Sequence, residues 1–218
     1  IDSTTERLFI HTLDYDIYLN QSKGKAISNN SIVFLDEYHP FHPDNYRANI
    51  HVTTPEEYYP TLCTFFDYLE SKTGFNVIIA AHPRSHYDDI TDYFDGRKVI
   101  RGETNELIRD SNFIIAHSSF SINFAVLYKK PIIFIITDEF KESIYERYVK
   151  YLAIYFGKAS INISEKEIDI DLEKELSMDI PSYNKFKHNF IKIDGTPDLP
   201  VWEVISKKIK SSHGLMSS

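Results

Sequence analysis

The chain has a single cysteine, Cys63, so no internal disulfide can form; its place on an apolar helical pattern reads as a buried, inert thiol. It is also short of positive charge. Its 24 lysines and arginines face 32 aspartates and glutamates, a net charge of −8, which excludes a general nucleic-acid binder because such proteins need a basic field. A small anionic ligand stays open, since a few local donors can hold one. No apolar run approaches the roughly 20 residues of a membrane span; the longest, Pro131 to Ile136, has the length of a strand. There is no G-x-G-x-x-G, no Walker A loop and no G-x-S-x-G, so dinucleotide oxidoreductases, P-loop NTPases and serine hydrolases all lose support. There is no signal peptide, internal repeat or low-complexity tract. The chain begins at Ile1 without a methionine, which points to a fragment or a processed product. A cytoplasmic address fits these absences, and peripheral attachment to a membrane stays open.

What remains is ordinary globular composition, 42% hydrophobic and 26% charged over 218 residues, enough for one large domain or a domain with an appendage. Residues 31–163 alternate strand-like runs with helical patterns. Ser31 to Asp36 reads as a buried strand. Thr54-Pro55-Glu56-Glu57 then forms a capping box with proline at the first helical position. Tyr58, Leu62, Phe65, Phe66 and Leu69 recur at helical spacing until Gly74 stops the helix. Further strands are expected at Asn76 to Ala81, Lys98 to Ile100, Phe113 to Ala116, Pro131 to Ile136 and Ala159 to Ile163. Helices are expected from Thr104, as N-cap, to Asp110; from Ser118 to Tyr128; and from Asp138, as cap, with Phe140, Ile144, Tyr148, Tyr151 and Tyr155 on one side. The alternation predicts an α/β fold, a doubly wound, Rossmann-like, mostly parallel sheet with helices on both faces. Residues 1–30 read as an extension or linker with a strand-like piece at Arg7 to His11. Residues 164–218 read as a C-terminal extension ending in a helix from Val201 to Ile209.

Open parallel sheets bind ligands outside the carboxyl ends of their strands. The residues there are Asp36-Glu37-Tyr38-His39, His82-Pro83-Arg84-Ser85, Arg101-Gly102-Glu103-Thr104, His117-Ser118-Ser119 and Thr137-Asp138-Glu139, a polar rim rich in histidine. Ser118 and Ser119 join a strand end to a buried helix, whose first N–H groups and dipole favour an anion such as phosphate; the alternative is that Ser118 only caps the helix. Pro83 holds His82 at the strand mouth, where an imidazole can donate to phosphate or act as a general acid. Arg84 suits a bidentate phosphate contact. Asp36 and Glu37 could serve as base or bind ribose hydroxyls, or equally form a cap or a loop salt bridge. His39, His42 and His51 occupy an unusually long loop from Glu37 to Thr53, but their spacing matches no standard metal pattern, and no metal is expected.

Ala80-Ala81-His82-Pro83-Arg84, Thr104-Asn105-Glu106-Leu107-Ile108, His117-Ser118-Ser119 and Lys130-Pro131-Ile132-Ile133-Phe134 together resemble the carboxyl-terminal half of GT-B-type glycosyltransferases. The likeness is to bacterial surface-polysaccharide enzymes such as sialyl- and Kdo transferases, with their His-Pro and Ser-Ser motifs, and it covers about residues 31 to 137. The resemblance implies a donor-binding half that takes a nucleotide-activated sugar, a CMP-sugar by the likeness to sialyltransferases. His82, Pro83, Arg84, Ser118 and Ser119 would hold the donor phosphate, and Glu103, Thr104 and Asn105 would lie near base or ribose. It also implies no cofactor or metal, a glycan acceptor as partner, and a second, amino-terminal Rossmann-like domain that this sequence does not contain. Asp36, Glu37 and His82 are then the catalytic candidates. Two other readings stand beside it: a UDP-sugar epimerase relative, and a non-catalytic module whose polar rim binds a nucleotide or a protein.

Overall fold

The computed structural model describes residues 7–21, 30–50, 52–87, 91–165 and 168–212. Among these residues the apolar runs form six strands: β1 (Ser31–Leu35), β2 (Asn76–Ala81), β3 (Val99–Arg101), β4 (Phe113–Ala116), β5 (Ile132–Ile136) and β6 (Ile161–Asn162). They make one parallel sheet in the order β3-β2-β1-β4-β5-β6. That is the Rossmann order, in which the second half of the sheet grows from the opposite side of β1. Every residue of β1, β4 and β5 is buried, so both faces of the sheet centre are covered, as continuous apolar strands require.

The covering helices are α1 (Leu13–Gln21), α2 (Pro43–Arg47), α3 (Pro55–Thr73), α4 (Thr104–Asp110), α5 (Ile122–Leu127), α6 (Ile144–Tyr155), α7 (Leu172–Leu176), α8 (Ile180–Phe186) and α9 (Val201–Ser212). In α3, Pro55 fills the first helical position, and Gly74, at φ 71°, ends the helix by donating its N–H to Glu70. Its expected inner face is buried throughout; each such leucine or phenylalanine contributes about 1.5–3 kcal/mol. The capping box is made differently from expectation: the Thr54 hydroxyl donates to the Glu57 carboxylate at 2.9 Å and accepts no backbone N–H.

Several boundaries move. The third strand begins one residue later, at Val99. Thr104 is the first helical residue of α4, with Glu103 as N-cap. The α6 cap is Ser143, whose Oγ accepts the N–H groups of Tyr145 and Glu146, while Asp138–Phe140 is a separate 3-10 turn. Helix α5 starts at Ile122, not Ser118, because bonds from Ile122, Asn123 and Phe124 to carbonyls three residues back form tight turns first. Arg7 to His11 is no strand; Leu8, Phe9 and Ile10 are exposed, and the helix follows at α1.

The segments flanking the sheet join its core. Tyr15 of α1 and Tyr183 and Phe186 of α8 are buried in the same hydrophobic cluster as β1, β4 and β5. The Tyr15 hydroxyl donates to Asp198, and the Tyr183 hydroxyl to the carbonyl of Lys130, both at 2.8 Å. Among the described residues no helix is long and apolar enough to cross a membrane.

Candidate functional site

Strand register sets the site. Leu35 of β1 pairs with Ala80 of β2 on one side and Ala116 of β4 on the other. Glu37, His82 and Ser118 each stand two residues beyond that level, so they leave three adjacent strands at the same height, with about 4.8 Å between neighbouring strands. The strand order reverses between β1 and β4, where such sheets open a crevice. A cavity of about 710 Å³ lies there, and Glu37, His82, Pro83, Ser118 and Ser119 all line it.

His82 is held by a local turn. Arg84 N–H donates to its Nδ1 at 3.1 Å, which leaves the ring proton on Nε2. Burial lowers its pKa, with His42 and Arg84 adding to the effect, so the ring is neutral near pH 7. Ser119 Oγ accepts the Ser121 N–H at 3.3 Å, leaving its own O–H to be donated. The cavity thus holds two donors whose acceptor sites are already engaged.

Ser118 is placed otherwise than the sequence suggests. Its N–H donates to Glu37 Oε1 at 2.7 Å and its O–H to Glu37 Oε2 at 3.2 Å. It neither caps a helix nor offers free donors, because a protein carboxylate already takes both. Burial pushes the Glu37 carboxyl up to about 7 against the Ser118 bonds, with the neighbouring Asp36 charge adding to the rise.

Adjacent residues at a strand end point to opposite sides, and Asp36 faces away from the cavity. It is 4% exposed and accepts the Tyr38 N–H at 2.9 Å, the Tyr87 hydroxyl at 2.9 Å and the His82 N–H at 3.4 Å. Burial raises its carboxyl to about 6 in spite of these bonds. The arrangement ties β1 to β2 and leaves no free oxygen for a substrate. Of the paired carboxylates, only Glu37 reaches the cavity.

Three other sequence candidates lie outside the cavity lining. Arg84 reaches out to Asp44 at 3.3 Å, an exposed pair of small energetic worth. Glu103 and Thr104 follow β3, which is three strands from β4, roughly 14 Å across the sheet. His117 leaves the rim altogether: fully buried, its Nδ1 donates to the Ile135 carbonyl and its Nε2 accepts the Tyr58 hydroxyl, both at 2.8 Å. Burial pulls it down to about 4.

The part of the long loop from Glu37 to Ile50 lies along the cavity as a 3-10 turn at His39–Phe41 followed by α2. His39, His42, Asp44 and Asn45 from it line the cavity. Tyr38, between Glu37 and His39, has φ 55°, an uncommon conformation for an aromatic residue; its ring is fixed against Phe41 and Tyr87, each at 5.2 Å. His39 is caged by Phe140 and Tyr145, each at 4.8 Å between ring centres, and burial keeps it well below the usual histidine range. His51 lies outside the described residues. Among the described ones no group of three or more His, Cys, Asp or Glu is arranged to hold a metal ion.

The opposite wall is aromatic. Phe120 is 91% exposed, and Tyr148 and Tyr151 of α6 are 53% and 59% exposed. Of the residues read on one side of this helix, Tyr148 and Tyr151 line the cavity and Phe140 is buried, while Val149 and Ala153 are the buried side of α6. The signal was present: tyrosines fill the outward stripe, and the small residues lie between them.

No family model and no curated protein matches the chain. Among solved structures, a UDP-GlcNAc 2-epimerase from Methanocaldococcus jannaschii, in complex with UDP-GlcNAc and UDP, is similar at a TM-score of 0.37 and 12% identity. The match covers 93% of this chain and 49% of that one, so the chain spans about half of that enzyme's length.

Proposed function

We propose that this domain binds a nucleotide-activated sugar and serves as the donor half of a glycosyltransferase. One observation carries the reading: Glu37, His82, Ser118 and Ser119, from three adjacent strand ends, line one cavity at the point where the strand order reverses. A volume of about 710 Å³ suits a small-molecule ligand of nucleotide size.

In this reading the donor's phosphate meets the His82 Nε2–H and the Ser119 O–H, both oriented as donors before any ligand arrives. As the acceptor hydroxyl bonds to the anomeric carbon, the bond from that carbon to the phosphate oxygen breaks, and the charge left on the phosphate falls to these donors. His82, as the neutral Nε2–H tautomer, hydrogen-bonds the departing oxygen and keeps its proton. Glu37, with a carboxyl raised toward neutrality, is the group suited to take the proton of the acceptor hydroxyl. A cytidine donor, a role in bacterial surface polysaccharide assembly and a cytoplasmic setting rest on the sequence resemblance alone.

Calorimetry tests the site. CMP or UDP should bind the wild-type chain, and His82→Ala and Ser119→Ala should each weaken that binding. Equal affinity in both variants rejects the assignment. Incubating UDP-N-acetylhexosamine without an acceptor separates the epimerase reading, since only an epimerase converts it.

A further inference from the structure

The anion that the sequence leads one to expect at Ser118 is present, and it belongs to the protein. Both donors of Ser118 are taken by Glu37, whose side chain sits at the cavity floor with 18% of its surface open. These donors belong to the turn after β4, four residues ahead of the first helical residue of α5, so the arrangement is not a helix terminus. Next to it is a side chain with an unmet need. His39 Nε2 has no hydrogen-bond partner although the side chain is only 3% exposed, and it lies 3.8 Å from Glu37 Oε2, just beyond bonding distance. Buried polar atoms are rarely left in that state.

We propose that the Ser118 turn is the subsite for the ligand's phosphoryl group, that Glu37 fills it in the empty protein, and that the ligand displaces Glu37 onto His39. The inference rests on the nucleotide-sugar reading for the identity of the ligand. Its physical basis is an exchange of partners: Ser118 keeps two acceptors, His39 gains one, and Glu37 trades two donors for one. A carboxylate and a phosphate need the same N–H and O–H donors, and two anions cannot share them because like charges at contact distance repel strongly. When phosphoryl oxygens take the Ser118 donors, Glu37 needs only about 1 Å of movement to bond His39 Nε2. The caged ring of His39 stays where it is, and the carboxylate moves. As the Nε2–H tautomer, His39 donates without becoming charged, so no proton has to be supplied or removed. A nucleoside without phosphate leaves Glu37 in place, and the exchange therefore selects for the phosphorylated ligand.

The test is calorimetry of the whole chain with CMP and with cytidine at about pH 8, above the raised Glu37 carboxyl, where Glu37 is the anion that the exchange requires. Glu37→Gln keeps the size of the side chain and removes its charge. It should bind CMP about tenfold tighter than wild type, since the competing anion is gone, and leave cytidine affinity unchanged. His39→Leu should weaken CMP binding in the wild-type background and have no effect in the Glu37→Gln background, because only a displaced carboxylate needs the imidazole. Equal or weaker CMP binding by Glu37→Gln overturns the exchange, whether or not the His39 variant folds. If CMP binds wild type and the His82 and Ser119 variants weaken it while Glu37→Gln does not tighten it, the exchange fails and the nucleotide reading stands. If neither wild type nor Glu37→Gln binds CMP, UMP or inorganic phosphate, both fall together.

Discussion

The backbone N–H of Arg84 donates to Nδ1 of His82 at 3.1 Å, and this one bond decides which ring nitrogen faces a ligand. The far nitrogen carries the proton, so substitutions at position 82 separate the two nitrogens. His82→Asn keeps an acceptor near the Nδ1 position and loses the distant donor; His82→Gln supplies a donor near the Nε2 position. The Asn variant should bind CMP as poorly as His82→Ala, about tenfold below wild type, with Gln intermediate. Calorimetry of the three variants checks the order; an Asn variant equal to wild type removes Nε2 from the site.

Arg84, Glu103 and Thr104 give the matching negative expectation. The Arg84 side chain is engaged with Asp44, and the other two follow a strand remote from the β1–β4 crevice. Alanine at each should leave CMP affinity within about twofold of wild type, because no hydrogen bond to the ligand is lost. A tenfold loss at Glu103 or Thr104 would mean that the ligand extends across β2 to β3.

The core strands were legible because a doubly covered sheet needs uninterrupted apolar runs, and Ser31–Leu35 and Ile132–Ile136 are such runs. Helix starts were less so. Apolar periodicity continues back from Ile122 through Phe120 to the strand end, so it cannot mark where tight turns give way to α-helix. In α1 the apolar residues Leu13, Tyr15 and Ile17 alternate with acids, a strand-like pattern in a segment that folds as a helix. The rim positions of His82, Ser118 and Glu37 followed from the strand ends. That Glu37 bonds Ser118 did not, because the pair is 81 residues apart and meets only through the register of β1 against β4. Nor could the sequence divide Asp36 from Glu37, since strand pleating sends one inward to Tyr87 and the other to the cavity.

The raised carboxyl of Glu37 makes a signed prediction about stability. Between the ordinary carboxyl range and about pH 7, the folded chain keeps a proton on Glu37 that the unfolded chain has released. Its contribution is therefore greatest at low pH and is lost as pH rises to about 7. Asp36 acts in the same direction up to about 6, while His39 and His117, held neutral, favour folding increasingly as pH rises toward 6.5. These slopes oppose one another, so the wild-type profile alone is uninformative. The difference between wild type and Glu37→Gln isolates the residue: the Gln variant should gain on wild type by about 2 kcal/mol from pH 5 to pH 8 in urea denaturation. A constant difference across that range contradicts the raised carboxyl.

Tyr58 and His117 form a buried pair beneath the site, bonded at 2.8 Å with neither side chain exposed. Tyr58→Phe removes one oxygen and leaves His117 Nε2 without its donor in an apolar setting. The expected cost is about 1–3 kcal/mol, the penalty of an unsatisfied buried polar atom. Chemical denaturation measures it; a loss below about 0.5 kcal/mol would show that the pair contributes no more than a surface contact.

Phe120 stands between two serines that line the cavity, and it leaves 91% of its surface in water. A side chain so exposed contributes little to folding, and the polar residues on either side of it show that the turn itself does not need an aromatic ring. Tyr148 and Tyr151, three residues apart on α6, present their rings to the same space. Apolar rings gathered along one cavity suit a ligand with a flat apolar face, either a base or the C–H face of a sugar, and such stacking is worth about 1–3 kcal/mol per base. Phe120→Ala should therefore leave the unfolding free energy within about 0.5 kcal/mol of wild type while weakening nucleotide or glycan binding at least about fivefold. A variant that unfolds early, or one that binds every nucleotide and glycan tried as wild type does, would return Phe120 to the ordinary surface.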